Sequence, residues 1–389
     1  MAVRGEPECC ILQLLRINGT LGYGRATSPS LSRYCGGCVS ALFLAQMLAS
    51  HLARTSSRQK HVPHAEVGFG ARRVMSLVGS TKHVVLPRTW LRADSFEHVL
   101  DAHNLDGHLR QGGSVIVEFP ERCRIPAGLG ICLLSWLNQL ADLNTGHLSL
   151  RFAPDDDLFG YLDRNGFVGL LSPNIVTSPE RPPIPKALMH HGQASGLVEI
   201  APLRAAMGLD EMQSILRALT DKLEGLFPST ERAQRLISRV RTALAELVQN
   251  VPNHSRTRLP GFAVLQAYPN ARQPRVEIGV SDSGIGIPDS LRNALGPQVS
   301  GRSDADLVLR AFEEGLSSMG KHGGRGCGLP RCAQIAAEYG SKVSVRTPSA
   351  HVTLEPVSEG SKRLTAQLRS NVSRIDGTHV WIELRLEHL

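Results

Sequence analysis

A strand leads directly into a glycine-rich turn at residues 275–288, which read RVEIGVSDSGIGIP. The apolar and β-branched residues of Arg275–Val280 are typical of a β-strand. Gly284 and Gly286 carry no side chain, so the chain after the strand can pass close to a planar ligand. Asp282 is expected to face the same space. These residues predict a pocket for a planar ligand.

An amphipathic helix is predicted to begin at Glu231, with Ser229 or Thr230 as its N-cap. Its apolar stripe consists of Leu236, Val240, Leu244, Leu247 and Val251. Glu246 and Asn250 lie four residues apart, so both project from one neighbouring face. They place a carboxylate that can take a proton from water beside an amide oxygen that can bind Mg²⁺. Alone, such a pair is most often a solvent-exposed feature.

A third segment, GGRGCGL at residues 323–329, opens a helix that is expected to run to about Tyr339 and to end at Gly340. Glycine leaves the backbone N–H groups at a helix start uncovered. Such N–H groups suit a polyphosphate.

In this order and context, the three segments resemble the successive motifs of the GHKL ATPases, a family of gyrase, chaperone, histidine kinase and mismatch-repair proteins. The resemblance covers roughly residues 230–389 and ends with Gly377 and Thr378 before a final strand, His379–Leu386. The preceding helix, Arg204–Phe227, is assigned to the same domain. The implied fold is an α/β sandwich that binds ATP and Mg²⁺.

The resemblance also implies residue roles. Glu246 would be the general base that activates water or an acceptor hydroxyl, and Asn250 would be the Mg²⁺ ligand. Asp282 would accept a hydrogen bond from the adenine amino group. The other nucleotide-binding positions are Gly284, Gly286, Gly324, Gly326, Gly328 and Thr378. Lys321 and Arg325 either offset γ-phosphate charge or are solvated charges of a mobile lid, residues 289–322.

Residues 76–178 alternate between strand-like and helix-like segments, which predicts a small α/β domain. The strands are expected at Lys82–Leu86, Ser114–Phe119 and His147–Phe152, and the helices at Ala93–Arg110, Ala127–Leu143 and Asp155–Arg164. The alternative is a generic α/β domain without a specific relationship, because many folds share this alternation.

The segment from SVIVEF to GFVGLL, residues 114–171, resembles the STAS domain of anti-sigma-factor antagonists. In that family, the turn before the central helix commonly carries a phosphorylatable Ser followed by Gly-Leu. Here the matching residues are Ala127, Gly128 and Leu129. Because Ala127 has no hydroxyl, the resemblance implies that this domain is not switched by phosphorylation at that position.

Two other regions are predicted. Residues 179–203 are rich in proline and predict a stiff linker to the ATP-binding domain, residues 204–389. Residues 1–75 are rich in Arg and Ser and predict a disordered leader, unless the start is mis-assigned and translation begins at Met75. The Cys35 and Cys38 spacing matches a redox pair or half a zinc site, but it has no second pair.

Net charge does not predict a nucleic-acid partner. Residues 1–74 hold nine Arg and Lys against three Glu, which is +6 of the total +8, and aromatic residues make up only 5% of the chain. A stacking surface for single strands is therefore missing. The longest apolar run, Cys38–Ala49, falls short of the ~20 residues that cross a bilayer. The cysteine pattern favours a reducing, cytoplasmic compartment.

Three functional readings follow, with ATP and a separate protein as the expected partners and a homodimer as a further option. A self-phosphorylating histidine kinase is not favoured, because no His occurs between His191 and His254. An ATPase or an anti-sigma-factor-like Ser/Thr kinase in signalling is compatible with Glu246. The alternative is a non-catalytic, ATP-gated protein-interaction switch.

Overall fold

The computed structural model describes residues 80–103, 105–143, 146–254, 257–316, 328–358 and 361–385. The predicted leader, residues 1–75, lies outside the described residues, as do Cys35, Cys38 and Met75. The described chain contains one parallel and one antiparallel sheet, which confirms the predicted mixed α/β class. None of its helices is both long and apolar enough to cross a membrane.

Four parallel strands form the first sheet in the order β1-β2-β3-β4. They are β1 (Thr81–Val85), β2 (Ser114–Phe119), β3 (His147–Phe152) and β4 (Ile175–Ser178). The helices between them are α1 (Ala93–Asp101), α2 (Leu105–Arg110), α3 (Ala127–Asp142), α4 (Leu158–Arg164) and α5 (Phe167–Leu170). The two helices α1 and α2 replace the single helix predicted over Ala93–Arg110.

Seven antiparallel strands form the second sheet in the order β10-β9-β8-β11-β7-β6-β5. They are β5 (Leu197–Leu203), β6 (Gly261–Tyr268), β7 (Arg275–Ser281), β8 (Lys342–Arg346), β9 (Ala350–Pro356), β10 (Leu364–Ser370) and β11 (His379–Arg385). The remaining helices are α6 (Lys186–Met189), α7 (Leu209–Leu226), α8 (Glu231–His254), α9 (Gly286–Leu295), α10 (Asp304–Glu313) and α11 (Gly328–Tyr339); a 3₁₀ turn covers Gly296–Val299.

The helix α3 is covered by both sheets. Fourteen of its sixteen residues are buried, as expected for a helix that is apolar on all sides. Successive residues of β6 point to opposite faces: Phe262 and Val264 join the core around α3, whereas Ala263 and Leu265 join the core around α8. The two layers therefore share a core and form one compact unit.

A buried ion pair also joins the layers. Arg346 in β8 donates from Nε to Glu97 Oε1 at 2.8 Å and from Nη2 to Glu97 Oε2 at 3.1 Å, and Glu97 belongs to α1. Both residues are almost fully buried. These two hydrogen bonds replace the water molecules that burial removes from the Glu97 carboxylate.

Two segments differ from the sequence expectations. Residues 197–203, which the sequence assigns to the linker, form β5 and pair with β6. The first part of the predicted lid contains α9 and α10, and Ala305, Val308 and Phe312 of α10 are buried in the core. The lid prediction over residues 289–322 is therefore too wide, because the apolar face of α10 packs against the sheet.

Candidate functional site

The helix α8 holds Glu246 and Asn250 at the edge of the second sheet's core. Thr230 caps it, since its Oγ1 accepts a hydrogen bond from the Ala233 N–H at 3.1 Å. The predicted apolar stripe is buried, which turns Glu246 to a half-buried face and leaves Asn250 exposed. The two side chains thus lie one turn apart on a face that a ligand can reach.

The start of α11 lies directly against Glu246. A Cβ added to Gly328 would lie 3.3 Å from the Glu246 Cβ and 3.5 Å from its Oε2. The first and third sequence motifs are therefore neighbours in space. Lys321, Gly324, Arg325 and Gly326, which were predicted to bind phosphate, lie outside the described residues.

Arg331, one turn into α11, forms an ion pair with Glu246. Sequence reasoning missed this residue. The available signal was its position three residues after Gly328, because helical side chains tilt toward the N-terminus and Arg331 can reach the phosphate-side end of α11. The Arg331 guanidinium can therefore form an ion pair either with Glu246 or with a bound anion.

Asp282 follows β7 and is fixed by the backbone around it. Its N–H donates to the Thr378 carbonyl at 2.9 Å, and its Oδ1 accepts from the Gly284 N–H at 2.7 Å. Burial raises the pKa of Asp282 to about 6, although hydrogen bonds with the backbone of Gly284 and Thr378 act in the opposite direction. The residues predicted for the adenine side, Asp282, Gly284 and Thr378, are thus brought together.

Gly377 allows the loop before β11 to lie directly on the turn that follows β7, which contains Asp282. Its φ is +106°, and a Cβ at this position would overlap the Asp282 carbonyl. Gly286 begins α9 with φ +77°, and a Cβ there would lie 3.0 Å from the Gly377 carbonyl oxygen. Glycine at both positions keeps two loops in contact where side chains would separate them.

The end of α8 and the Asp282 turn are also close. A Cβ at Gly261 would lie 2.6 Å from Val251 Cγ1 and 3.5 Å from the Asp282 Cα. Because Asn250 immediately precedes Val251, the Mg²⁺-ligand candidate and the adenine-side candidate belong to the same end of the sheet.

These residues fit Mg²⁺-bound ATP. The Asp282 carboxylate can accept a hydrogen bond from an adenine amino group, and the exposed Asn250 amide offers the oxygen that Mg²⁺ prefers. Gly328 leaves the first turn of α11 without a Cβ beside Glu246, where a phosphate suits the helix N-terminus.

Comparison with known proteins gives one family. Residues 236–388 match the model of histidine kinase-, DNA gyrase B-, and HSP90-like ATPases. No curated protein matches the chain. The match begins within α8, so the resemblance of residues 76–178 to STAS domains stays a prediction, as do the domain boundaries at residues 75 and 178.

Proposed function

Residues 236–388 form an ATPase domain of the histidine kinase-like type, and we propose that this chain is an ATP-binding regulatory protein in signalling. It hydrolyses ATP or transfers the γ-phosphate to a Ser or Thr of a separate protein. The main support is the contact of α11 with Glu246 at the same end of the sheet where Asp282 is hydrogen-bonded to Thr378.

In this proposal, Asp282 selects adenine. An ionised carboxylate accepts a hydrogen bond from the 6-amino group, and a base that carries a carbonyl at that position offers no donor. Gly284 and Gly286 leave room for the ring. Thr378 completes the adenine side.

The phosphates extend toward α11. Gly324, Gly326 and Gly328 supply backbone N–H groups, and Lys321 and Arg325 supply positive charge. Asn250 would hold Mg²⁺, which would offset the charge of the phosphates.

Glu246 is the general base. It takes the proton from water or from an acceptor hydroxyl while that oxygen attacks the γ-phosphorus and ADP leaves. Its ion pair with Arg331 implies a competition, because an incoming phosphate attracts the same guanidinium. Nucleotide binding then frees the carboxylate for proton transfer.

The acceptor belongs to another protein. Ala127, which matches the phosphorylatable Ser of STAS domains, has no hydroxyl, and its N–H donates to the Tyr268 hydroxyl at 2.9 Å. It is buried at the start of α3. A protein partner and a homodimer are both predictions of this proposal.

A second candidate is a non-catalytic, ATP-gated interaction switch. The ion pair with Arg331 favours it, because one oxygen of Glu246 is already occupied. The test is incubation of the full chain with γ-labelled ATP and Mg²⁺, with and without cell lysate. Label released as phosphate indicates an ATPase, label on another protein indicates a kinase, and bound but unconverted ATP indicates the switch. Failure of the wild-type chain to bind ATP would reject both candidates.

A further inference from the structure

The helix α3 runs along β7 toward the Asp282 turn. At its start, the Gly128 Cα would lie 3.4 Å from a Cβ at Gly279. Farther along, the Ser135 Oγ lies 2.7 Å from the Ser281 Oγ, which in turn lies 2.6 Å from His379 Nδ1. Ser281 precedes Asp282 and His379 follows Thr378. These three hydrogen-bonded, buried side chains therefore lie next to the residues of the adenine side.

The next turn of α3 reaches the two loops themselves. Gln139 Nε2 donates to Ser283 Oγ at 3.0 Å and to the Asp376 carbonyl at 2.9 Å, while Gln139 Oε1 accepts from the Asp376 N–H at 2.9 Å. Ser283 follows Asp282, and Asp376 precedes Gly377 and Thr378. One side-chain amide therefore connects both loops that flank the adenine side.

The chemistry of this contact explains why a glutamine is needed. A primary amide presents a donor and an acceptor at one end, which matches the N–H and C=O of a single backbone residue. Its second amide hydrogen is free to reach Ser283. Within the described residues, the contacts of Gln139 thus fix the spacing of the two loops, whereas an apolar side chain would only pack between them.

We propose that Gln139 is a positioning residue of the nucleotide site, through which the layer of the first sheet sets adenine recognition. The inference rests on the proposed function, because it requires that ATP binds between these loops. Gln139 touches no nucleotide. It holds Asp282 at the distance from Thr378 at which the carboxylate meets the adenine amino group. By linkage, ATP binding stabilises the contact of α3 with the second sheet.

The test compares ATP with ITP, which carries a carbonyl in place of the amino group, in Mg²⁺ titrations of the full chain and its Gln139→Met variant. Methionine retains the length of the side chain and removes all three hydrogen bonds. Because the loss of these bonds frees the two loops that hold Asp282 beside Thr378, we expect ATP affinity to fall roughly 10-fold or more. ITP affinity should change less than 3-fold, so the preference for ATP collapses.

Asn138 provides a matched control on the same helix. Its Nδ2 donates to the Leu170 carbonyl at 3.0 Å and its Oδ1 accepts from the Ser172 N–H at 2.7 Å, away from the Asp282 turn. Asn138→Leu should lower the melting temperature yet leave the ATP and ITP affinities unchanged. If Gln139→Met fails to fold, Ser283→Ala removes one of the three bonds and should reduce the ATP preference about 3-fold.

The outcomes separate the two claims. Equal ATP and ITP affinities of wild type and Gln139→Met, or an equal loss in Asn138→Leu, overturn the role of Gln139 and leave the proposed function intact. Absence of ATP binding in the wild-type chain overturns the proposed function as well.

Discussion

Asp282 combines three roles at the scale of a single residue: it begins the turn after β7, its Oδ1 accepts a hydrogen bond from the Gly284 N–H, and its N–H donates to the Thr378 carbonyl. Its carboxylate belongs to the adenine side in the proposed function. Because the backbone bonds use its N–H and Oδ1, the side chain is fixed before a ligand arrives. A fixed acceptor costs little entropy on binding.

Asp282→Ala should weaken ATP binding by about 1–3 kcal/mol, because in the proposed function the adenine amino group loses its hydrogen-bond acceptor. Isothermal titration with Mg²⁺ and ATP measures the change. Binding of ITP serves as the reference and should be nearly unaffected. Unchanged ATP affinity in Asp282→Ala would remove Asp282 from the site.

ATP affinity should also depend on pH through this residue. Burial raises the pKa of Asp282 to about 6, so the carboxylate is ionised above pH 6 and protonated below it. Protonation removes the charge that the amino group meets, and ATP affinity is expected to fall about 10-fold from pH 7.5 to pH 5. The Asp282→Asn side chain cannot titrate, so the pH profile of this variant contains only the titration of ATP itself. Subtracting that profile from the wild-type profile leaves the contribution of Asp282. A wild-type profile parallel to that of Asp282→Asn would contradict the prediction.

At the scale of elements, three of the four strands of the first sheet could be predicted closely, whereas β4 (Ile175–Ser178) was missed. Ser114–Phe119 and His147–Phe152 have the predicted bounds because apolar residues alternate within them. The sequence also indicated the faces of α8 correctly. It could not indicate which element covers a face: the packing of α3 on β7, of α10 on the sheet, and of Arg331 on Glu246 all join residues far apart in sequence.

The face of α8 predicts two different phenotypes. Glu246→Gln should retain Mg²⁺-dependent ATP binding but lose turnover or phosphotransfer by roughly 10²–10⁴-fold, since the role proposed for Glu246 is proton transfer. Asn250→Ala should lose the metal-dependent part of ATP binding, seen as equal affinities with Mg²⁺ and with EDTA. The exposed Gln249 on the same helix gives the control, Gln249→Ala. If Glu246→Gln and wild type show no difference in any turnover assay, the switch is the remaining candidate.

At the scale of the whole molecule, the buried ion pair between Glu97 and Arg346 ties the two layers together. His351 lies 3.8 Å from the same Glu97 carboxylate, and burial and Arg346 lower the pKa of His351 to about 3. The imidazole is therefore neutral, and Arg346 is the cation that compensates Glu97.

Arg346→Met should destabilise the protein by about 3–5 kcal/mol, because it leaves a buried carboxylate without its partner. Glu97→Leu with Arg346→Met removes both charges and should recover much of that loss. Urea denaturation of the two variants and wild type measures the free energies of unfolding. A double variant no more stable than Arg346→Met would contradict the prediction, because it would show that the unpaired Glu97 carboxylate is not what destabilises Arg346→Met.

The burial of α3 between two sheets has a consequence for cooperativity. Neither sheet can melt alone, because its loss would expose to water the apolar helix α3 and, on the second sheet, Phe262, Val264 and Trp381. Differential scanning calorimetry of residues 76–389, which contain both layers, should therefore give a single heat-absorption peak. The van't Hoff and calorimetric enthalpies of that peak should agree. Expression of residues 204–389 alone should yield an aggregating product, since the face of the seven-stranded sheet that α3 covers would meet solvent.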